Sequence, residues 1–446
     1  DGMRRVADVF AREGAAAWYT RSVSELFGRL ACEACGHGEF RKENDILDVW
    51  FDSGVSFAAV VEAEGLGHRE GAAVDLYLEG SDQHRGWFHS SLLCALATRQ
   101  RPPYRAVLTH GFVVDGQGKK ISKSKGNFVD PFKAIEKDGA ELLRLWVAGE
   151  DYRDDVRLSQ EILTRLSDSY RKVRNTIRYL LGNIADFDPA QHLVTPERLL
   201  EVDRYALSLG ARATERARAA YDGYSFHVVM QTLVELCTVD LSAFYLDMLK
   251  DRLYASRADS PARRSAQTAL YLLARDLLRL MAPVFCFTAE EAWQFLPKLA
   301  GDPGSVHLAL YPGIEEPAAV TALAKAVSGE AEVLLEKYGQ VRDVRRAVNA
   351  VLEEARRGKV LGASSEAQVT LRAGGAALEA LQAFSPEAWA DMLIVSAVRI
   401  EVGEGALTVG VRRASGTKCA RCWLYRAEVG KSSAHPTLCG RCVEAL

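Results

Sequence analysis

Residues 74–112 read VDLYLEGSDQHRGWFHSSLLCALATRQRPPYRAVLTHGF. The runs VDLYLEG and YRAVLTHGF are typical of β-strands, and the segment between them is typical of an α-helix. A strand, a helix and a second strand in succession predict a parallel α/β layer. Ligands bind such layers beyond the carboxyl ends of the strands, where this sequence has Glu79, Gly80 and His110.

The pattern of apolar residues changes along the chain and predicts several domains. Strand-like and helix-like runs alternate at first, then helical periodicity alone continues, and short strands return near the end. An Asp115-Gly116 pair indicates a hairpin turn, and the run TAEE at 288–291 predicts a capping box that opens a helix. We expect an α/β domain at 1–150, an all-α bundle at 151–315, a long helix with small strands at 316–412, and a cysteine-containing module at 413–446.

The composition is that of a globular protein of several domains. The chain has 446 residues, 48% of them hydrophobic, with a formal net charge of −3. A polyanionic partner would therefore have to be met by local basic patches. Because the sequence shows neither a long apolar run nor a signal-like leader, we expect a cytoplasmic protein that does not contact a membrane.

The stretch GKKISKSKGN, residues 118–127, concentrates lysines and serines between glycines. Glycines let a backbone approach a ligand closely, and Lys120 and Lys123 could hold the phosphates of one ligand, with Ser122 and Ser124 beside them. A solvated basic loop has the same composition, so composition alone leaves both interpretations open.

The last four cysteines, Cys419, Cys422, Cys439 and Cys442, have the spacing C-x2-C-x16-C-x2-C. Thiolates at this spacing predict a closed, tetrahedral, structural zinc site. Cys32 and Cys35 form only half of such a set, so a second zinc stays an open alternative. The three isolated cysteines are Cys94, Cys237 and Cys286. Each lies in an apolar stretch with helical periodicity, so we expect them to be unreactive core residues.

Two polar or aromatic positions near the predicted sheet edge have competing interpretations. Asp82 could cap the following helix, or it could face a ligand together with Gln83. Trp50 could belong to the core, since aromatic residues usually do, or it could line a pocket.

Three stretches resemble a known family. KISKS at 120–124 resembles the KMSKS signature of class I aminoacyl-tRNA synthetases, with Ile121 at the Met position. DILDVWFDSGVS at 45–56 and LEGSDQHRGWF at 78–88 follow the order and spacing of bacterial isoleucyl-tRNA synthetases. Valyl enzymes are similar but usually carry Ser where this chain has Asp52, and they are the alternative within the class.

The resemblance implies a fold and a function for nearly all of the chain. The fold would be a partial Rossmann-like catalytic domain, a helical anticodon-binding domain and a zinc module. The reaction would be activation of L-isoleucine with ATP and Mg²⁺, then transfer of isoleucine to its tRNA. Glu79 would bind the ammonium group, with Gly80, Asp82 and Gln83 on the adenylate, His110 near adenine and ribose, and Trp50 beside the isoleucine side chain. Lys120, Ser122, Lys123 and Ser124 would bind ATP, and the two lysines would be catalytic.

The sequence also departs from the family. It contains no HIGH-type motif and no editing insertion, so it resembles the C-terminal half of such an enzyme, and we expect a monomer that is inactive or nearly so without the N-terminal half. A non-catalytic tRNA-binding protein is the alternative from another class. Several arginines are candidate contacts for tRNA phosphates: Arg252, Arg342, Arg345, Arg346, Arg356 and Arg357.

Overall fold

The computed structural model describes residues 2–63, 74–121 and 130–446. Its described residues form two compact units, 1–111 and 112–446. The first unit ends before the domain boundary that the sequence suggests at 150, because the later residues of that segment pack with the helical bundle. Arg144, for example, donates hydrogen bonds to the backbone carbonyls of Pro283 and Val284 at 2.7 and 3.0 Å.

The first unit contains the predicted parallel pair of strands. Strand β1 pairs in parallel with β2, with Glu79 opposite Thr109 and Gly80 opposite His110. The strand–helix–strand prediction is therefore confirmed, and the carboxyl ends of both strands lie side by side. The elements of this unit are α1 (Gly2–Glu13), α2 (Ala17–Thr20), α3 (Val23–Phe27), α4 (Val49–Gly54), a π-helical turn (Phe57–Glu62), β1 (Val74–Gly80), a 3₁₀ turn (Ser81–Arg85), α5 (Trp87–Arg99) and β2 (Tyr104–His110).

Aromatic packing fixes α4 and α5 against the sheet. The ring of Tyr77 on β1 stacks on Trp87 of α5 with centroids 4.0 Å apart. The indole nitrogen of Trp87 donates to the carbonyl of Ser53 on α4 at 2.9 Å. A Cβ at Gly54 would lie 3.0 Å from Ser90, so a larger residue there would push α4 and α5 a few tenths of an ångström apart.

The second unit begins with a short strand and a turn. Strand β3 (Val113–Asp115) pairs in parallel with β4 (Val156–Leu158), and Val114 forms an antiparallel bridge with Lys120. The Asp115 carboxylate accepts from the backbone amides of Gln117 and Lys119, which closes the turn predicted from Asp115-Gly116. Helices α6 (Pro131–Asp138) and α7 (Ala140–Gly149) lie between the two strands in the chain.

A helical bundle follows and contains the largest core, as the periodicity predicts. Its largest fully buried side chains include Trp293, Tyr205, Tyr245, Tyr271 and Phe285. The helices are α8 (Gln160–Asn183), α9 (Pro189–His192), α10 (Glu201–Asp222), α11 (Phe226–Glu235), α12 (Leu246–Ala255), α13 (Pro261–Met281) and α14 (Cys286–Phe295), and a π-helical segment, Leu236–Tyr245, joins α11 to α12.

The capping box predicted at 288–291 is wrong. Helix α14 begins at Cys286, so Thr288 lies inside it. The helix start is capped instead by Glu141 of α7, whose carboxylate accepts from the backbone amides of Phe287 and Thr288 at 2.8 Å each. A carboxylate placed there satisfies amides that have no partner within the helix and complements the helix dipole. The signal was missed because the capping residue is remote in sequence.

The C-terminal part contains the predicted long helix and small sheet. Strand β5 lies between β6, parallel to it, and β7, antiparallel to it. The short strands β8 and β9 pair in the cysteine module. The elements are α15 (Ala318–Ser328), α16 (Ala331–Arg357), β5 (Ala367–Ala373), α17 (Gly375–Gln382), α18 (Pro386–Leu393), β6 (Ala397–Val402), β7 (Thr408–Arg413), β8 (Thr417–Lys418), β9 (Tyr425–Arg426) and α19 (Gly440–Glu444).

Among the described residues, one continuous helical stretch, Phe226–Ala255, is long and apolar enough to cross a membrane. It comprises α11, the π-helical segment and α12. Within the bundle it contributes residues with almost no exposure, such as Leu233 and Leu241, and it carries Asp247, Lys250 and Arg252 near its end. Its apolar composition is therefore accounted for by the bundle core.

Candidate functional site

The carboxyl edge of the β1–β2 pair carries three of the predicted site residues. Glu79 is exposed, Gly80 is buried, and His110 is half-buried. Because neighbouring strands lie about 4.8 Å apart, the register places Gly80 and His110 next to each other. The His110 Nδ1 lies 2.7 Å from the carbonyl oxygen of Gly111, which indicates that Nδ1 carries the proton and donates. Nε2 is then the acceptor of this ring.

Trp50 and Gln83 meet at Gly86. A Cβ built on Gly86 would lie 2.5 Å from the Gln83 Oε1 and 2.8 Å from the Trp50 ring. The Gln83 Oε1 also accepts from the backbone amide of Trp87 at 2.9 Å, which fixes its position at the start of α5. Trp50 is held through its backbone amide, which donates to Asp48 at 2.8 Å, while its side chain stays 42% exposed. Trp50 is thus not a core residue.

Asp82 lies in the 3₁₀ turn Ser81–Arg85, directly beyond β1. Its carboxylate is 3.4 Å from the Gln83 Nε2, and it caps neither that turn nor α5. The capping interpretation of Asp82 is therefore wrong. The side chain is exposed at the sheet edge, where a carboxylate can accept hydrogen bonds from a ligand's hydroxyl or ammonium groups.

The lysine-rich loop is only partly described. Lys120 is exposed and lies at the antiparallel bridge to Val114, just past the turn closed by Asp115. Gly118 has a φ of 78°, a conformation that favours glycine, and this confirms a glycine-dependent turn ahead of the lysines. Ser122, Lys123 and Ser124 lie outside the described residues, so their predicted contacts with ATP stay predictions.

The four terminal cysteines form a metal-binding cluster. Their sulfur atoms all lie within 4.8 Å of one another, and the Cys422 and Cys439 sulfurs are 3.8 Å apart. A zinc ion bound tetrahedrally at about 2.3 Å from each sulfur requires sulfur–sulfur distances of about 3.8 Å. The donor set and its geometry therefore fit a structural zinc, with no position left for a reacting water.

The backbone around the cluster favours a thiolate at Cys419. Burial opposes ionisation there, but amide hydrogen bonds from Cys422, Cys439 and Arg421 outweigh it and lower the pKa of Cys419 to about 6. Burial raises the pKa values of Cys422 and Cys442, and the neighbouring sulfurs add to the effect. A thiolate at Cys419 can bind a dication directly. The bound dication then favours the ionised form of the other three cysteines.

Cys32 and Cys35 form a turn of their own. The Cys32 amide donates to the carbonyl of His37, and the Gly36 amide donates to the carbonyl of Cys32, both at 2.8 Å. Backbone hydrogen bonds from Ala34 and Cys35 lower the pKa of Cys32. In the described parts of the chain, the terminal cluster is the one group of three or more potential metal ligands. The second zinc stays an open prediction.

Three of the six arginines proposed as phosphate contacts are held inside the protein. Arg252 pairs with Asp203, Arg342 with Asp240 and Arg345 with Asp247. Their guanidinium groups pair with buried or half-buried carboxylates. The prediction that these three arginines contact tRNA phosphates is therefore wrong. Arg346, Arg356 and Arg357 are exposed and stay candidates.

Sequence reasoning missed the residue that joins the cysteine module to the bundle. Arg441 donates two hydrogen bonds to Asp251 of α12, at 2.5 and 2.8 Å. The Asp251 carboxylate raises the pKa of Arg441 against the opposing effect of burial, and an interaction with Cys422 adds to the rise. The only sequence signal was an arginine directly before the second cysteine of each pair.

Family models match three parts of the chain. They are tRNA synthetases class I (I, L, M and V) over residues 1–159, the anticodon-binding domain of tRNA ligase over 203–371, and the zinc finger found in FPG and IleRS over 416–445. The last match agrees with the cysteine geometry and supports a structural zinc.

Two curated relatives and one solved structure are similar to this chain. Isoleucine–tRNA ligase of Geobacter sulfurreducens is 48% identical and that of Syntrophotalea carbinolica is 49% identical, each over 100% of this chain and 47% of the relative's length. The chain thus spans about half the length of the curated relatives it matches. The LeuRS–tRNA–LeuAMS ternary complex of Agrobacterium radiobacter K84 agnB2 has a similar fold, with TM-score 0.50 and 18% identity over 65% of this chain and 36% of that chain.

The predicted fold class and the resemblance drawn from the three sequence stretches are both confirmed by these matches. The chain is therefore similar over its whole length to isoleucine–tRNA ligases, and its residues 1–159 match the model of class I tRNA synthetases.

Proposed function

We propose that this chain is the part of an isoleucine–tRNA ligase that binds the amino acid, the phosphates of ATP and the tRNA. The observation that carries the proposal is 48% identity to such a ligase over 100% of the chain. In the first reaction, the carboxylate of L-isoleucine attacks the α-phosphate of ATP, which gives isoleucyl-adenylate and releases pyrophosphate. In the second, a hydroxyl of the terminal adenosine of the tRNA attacks the acyl carbon and releases AMP.

Residues at the β1–β2 edge bind the amino acid and the adenylate. Glu79 is an exposed carboxylate at the end of β1 and pairs with the ammonium group of isoleucine. Gly80 leaves room beside it, and the neighbouring His110 offers Nε2 to the nucleoside. None of these groups needs to act as a strong base, because a carboxylate is already a nucleophile and positioning supplies most of the rate enhancement.

Trp50, Asp82 and Gln83 complete this side of the site. The exposed face of Trp50 provides an apolar surface for a branched aliphatic side chain. Gln83 is held by the Trp87 amide, so its carboxamide nitrogen is oriented before a ligand binds. Asp82, which is exposed next to it, accepts a hydroxyl of the ribose. Such fixed polar groups give orientation, and the apolar surface gives affinity.

Lys120 and Lys123 bind the phosphates of ATP and are the catalytic residues of this proposal, with Ser122 and Ser124 as hydrogen-bond donors. Ammonium groups stabilise the negative charge that develops as pyrophosphate leaves. Mg²⁺ accompanies ATP in the proposal, because the nucleotide's phosphates supply most of the ligands that this ion needs. The glycine-dependent turn at Gly118 supports a backbone built to approach a ligand.

The second unit binds tRNA(Ile) in this proposal. Arg346, Arg356 and Arg357 are exposed on α16, within the segment matched by the anticodon-binding model. Exposed arginines on a helix can pair with successive phosphates, and such binding weakens with salt. We propose a cytoplasmic monomer, in line with the sequence-based expectation.

Adenylation by this chain alone is proposed to be absent or weak, because the 446 residues contain no HIGH-type motif to bind the other side of ATP. The experiment on specificity compares isoleucine, valine and leucine in adenylation, with the N-terminal half of a relative supplied. Preference for isoleucine supports the proposal, and preference for valine supports the valyl alternative.

A second candidate function is tRNA binding without catalysis. It is favoured by the second unit, which contains the helical bundle and a complete four-cysteine cluster. Separate measurements of ATP and tRNA affinity distinguish the two functions. An enzyme half binds both ligands, whereas a binding protein derived from an enzyme binds tRNA alone.

A further inference from the structure

The two cysteine pairs of the C-terminal module have the same local sequence but different surroundings. They read Cys-Ala-Arg-Cys at 419–422 and Cys-Gly-Arg-Cys at 439–442. Arg421 has no ion pair in the part of the chain that the structure describes, whereas Arg441 pairs with Asp251, 190 residues away. Each pair thus carries an arginine directly before its second cysteine, but of these two arginines Arg441 is the one that pairs with a residue of the bundle.

Arg441 connects the second cysteine pair to helix α12. Its two terminal nitrogens donate to the two carboxylate oxygens of Asp251 at 2.5 and 2.8 Å. In the chain, Arg441 lies between Cys439 and Cys442, in the short helix α19. A planar guanidinium can hold both oxygens of one carboxylate at once because its five N–H groups point in fixed directions.

The module also contacts the end of α12 through its cysteines. Ala255, at the end of α12, packs with Cys419, Cys439 and Cys442. Beside these contacts lies a cavity of about 680 Å³, whose lining includes Met248, Asp251, Leu424 and Arg441. The Asp251–Arg441 pair and the Ala255 contact both attach the module to this helix.

We propose that Arg441 is a positioning residue that couples metal binding by the four cysteines to the attachment of the module to α12. With zinc bound, Cys439 and Cys442 are held on one ion, which fixes the segment between them and keeps the Arg441 guanidinium at Asp251. Without the metal, that segment loses this restraint, so Arg441 is no longer held in place to pair with Asp251. Interactions that hold metal ligands in place from outside the site tune metal affinity in this way in many proteins.

The inference rests on the proposed zinc site and tRNA-binding function and deepens them. It assigns Asp251 and Arg441 the task of holding the module against the bundle, so that both present one surface to tRNA. Loss of the pair lets the module reorient while each part stays folded.

The test measures zinc release from the full chain into a chromophoric chelator. Asp251→Asn and Arg441→Gln are expected to release zinc about tenfold faster than the parent, the lower end of what loss of such partners produces. The matched control is Arg421→Gln, which removes the same charge at the same position of the other pair and should release zinc at the parental rate. The double variant Asp251→Asn/Arg441→Gln should match the single variants, because both break one interaction.

Hydrogen exchange of the zinc-loaded chain supplies a second readout. Asp251→Asn should accelerate amide exchange in residues 438–446, although Asp251 touches no cysteine. Arg441→Lys keeps the positive charge but cannot form two parallel hydrogen bonds with the Asp251 carboxylate. This variant should fold like the parent and release zinc at an intermediate rate. Circular dichroism verifies equal helix content in all variants.

Two results would overturn the inference. In one, Asp251→Asn releases zinc at the parental rate, so that Arg441 acts only within the module. In the other, Arg421→Gln releases zinc as fast as Arg441→Gln, so that any nearby positive charge suffices. Neither result depends on tRNA binding, so failure of the proposed function is distinguishable from failure of this inference.

Discussion

The carboxylate of Asp203, which is fully buried, accepts hydrogen bonds from both terminal nitrogens of Arg252, at 2.7 and 3.0 Å. Tyr245 and Ser265 donate to the same carboxylate at 2.7 and 2.5 Å. The four residues connect α10, the π-helical segment, α12 and α13. Arg252 is therefore part of the internal structure of the bundle.

Asp203→Asn should destabilise the bundle by about 3–5 kcal/mol, because it leaves the largely buried Arg252 charge without its partner. Urea unfolding followed by circular dichroism measures the change. The control is Asp343→Asn, which breaks the exposed pair with Arg346 at 3.1 Å and should cost less than about 0.5 kcal/mol. Equal losses of unfolding free energy in the two variants would contradict a structural role for the buried Asp203–Arg252 pair.

Gly86→Ala should disturb the proposed amino-acid side of the site without unfolding the chain. The added Cβ would lie 2.5 Å from the Gln83 Oε1 and 2.8 Å from the Trp50 ring, so both side chains must move. We expect the KM for isoleucine to rise about tenfold in assays supplemented with an N-terminal half, the cost of misplaced binding groups. Gly182→Ala, which meets nothing within 4 Å, is the control and should leave KM unchanged. Parental KM in Gly86→Ala would argue against a role for Trp50 and Gln83.

Metal removal should unfold the C-terminal module and spare the bundle. The four cysteines and the few residues around them form a hydrophobic cluster separate from the bundle core, and such small modules depend on their metal. Chelation should make residues 413–446 sensitive to protease while the helical signal stays nearly constant. Cys439→Ser should behave like the chelated protein, and Cys94→Ser like the parent. Protection of the module after chelation would show that the metal is not structural.

The cysteines outside the cluster should differ in reactivity because their environments differ. Burial raises the pKa of Cys237 to about 12, so at pH 8 only about one molecule in ten thousand carries the thiolate. The pKa of Cys32 is lowered by backbone hydrogen bonds, so its thiolate forms at lower pH. Iodoacetamide at pH 8 should label Cys32 and leave Cys237 unmodified in the folded chain, as mass spectrometry can show. Early labelling of Cys237 would contradict its burial.

An exposed arginine on α16 should contribute to tRNA binding through charge alone. Arg357→Gln is expected to weaken tRNA binding and to reduce the salt dependence of the affinity by about one unit of slope. Arg345→Gln, by contrast, should mainly reduce stability, since Arg345 is buried beside Asp247. Filter binding at several salt concentrations separates the two effects. An unchanged slope in Arg357→Gln would remove this residue from the interface.

Local sequence patterns predicted the elements of this fold well. The apolar run at 74–80 became β1, the long charged segment became α16, and the cysteine spacing located the metal cluster. The failures were long-range. Glu141 caps α14 through Phe287, which is 146 residues later in the sequence. Arg252 pairs with Asp203, which is 49 residues earlier. A local sequence pattern cannot identify a partner that is so distant in the chain.

The same limit applies to the candidate site. The sequence placed Glu79, Gly80 and His110 at strand ends, because the order of strand and helix determines where parallel strands finish. It left the role of Trp50 open, because exposure depends on how α4 packs against α5. That packing brings other side chains close to Gly54 and Gly86, whose importance appears only when the neighbouring side chains are in place.

The most direct test of the account is isoleucine-dependent ATP–pyrophosphate exchange, measured on this chain alone and with the N-terminal half of a relative added. The account predicts exchange only in the mixture, reduced at least about a hundredfold by Lys123→Ala or Lys120→Ala. The exposed Lys133→Ala on α6 is the matched control and should retain parental exchange. Exchange by the chain alone at the rate of the mixture, or exchange unaffected by Lys123→Ala, would contradict the central claim.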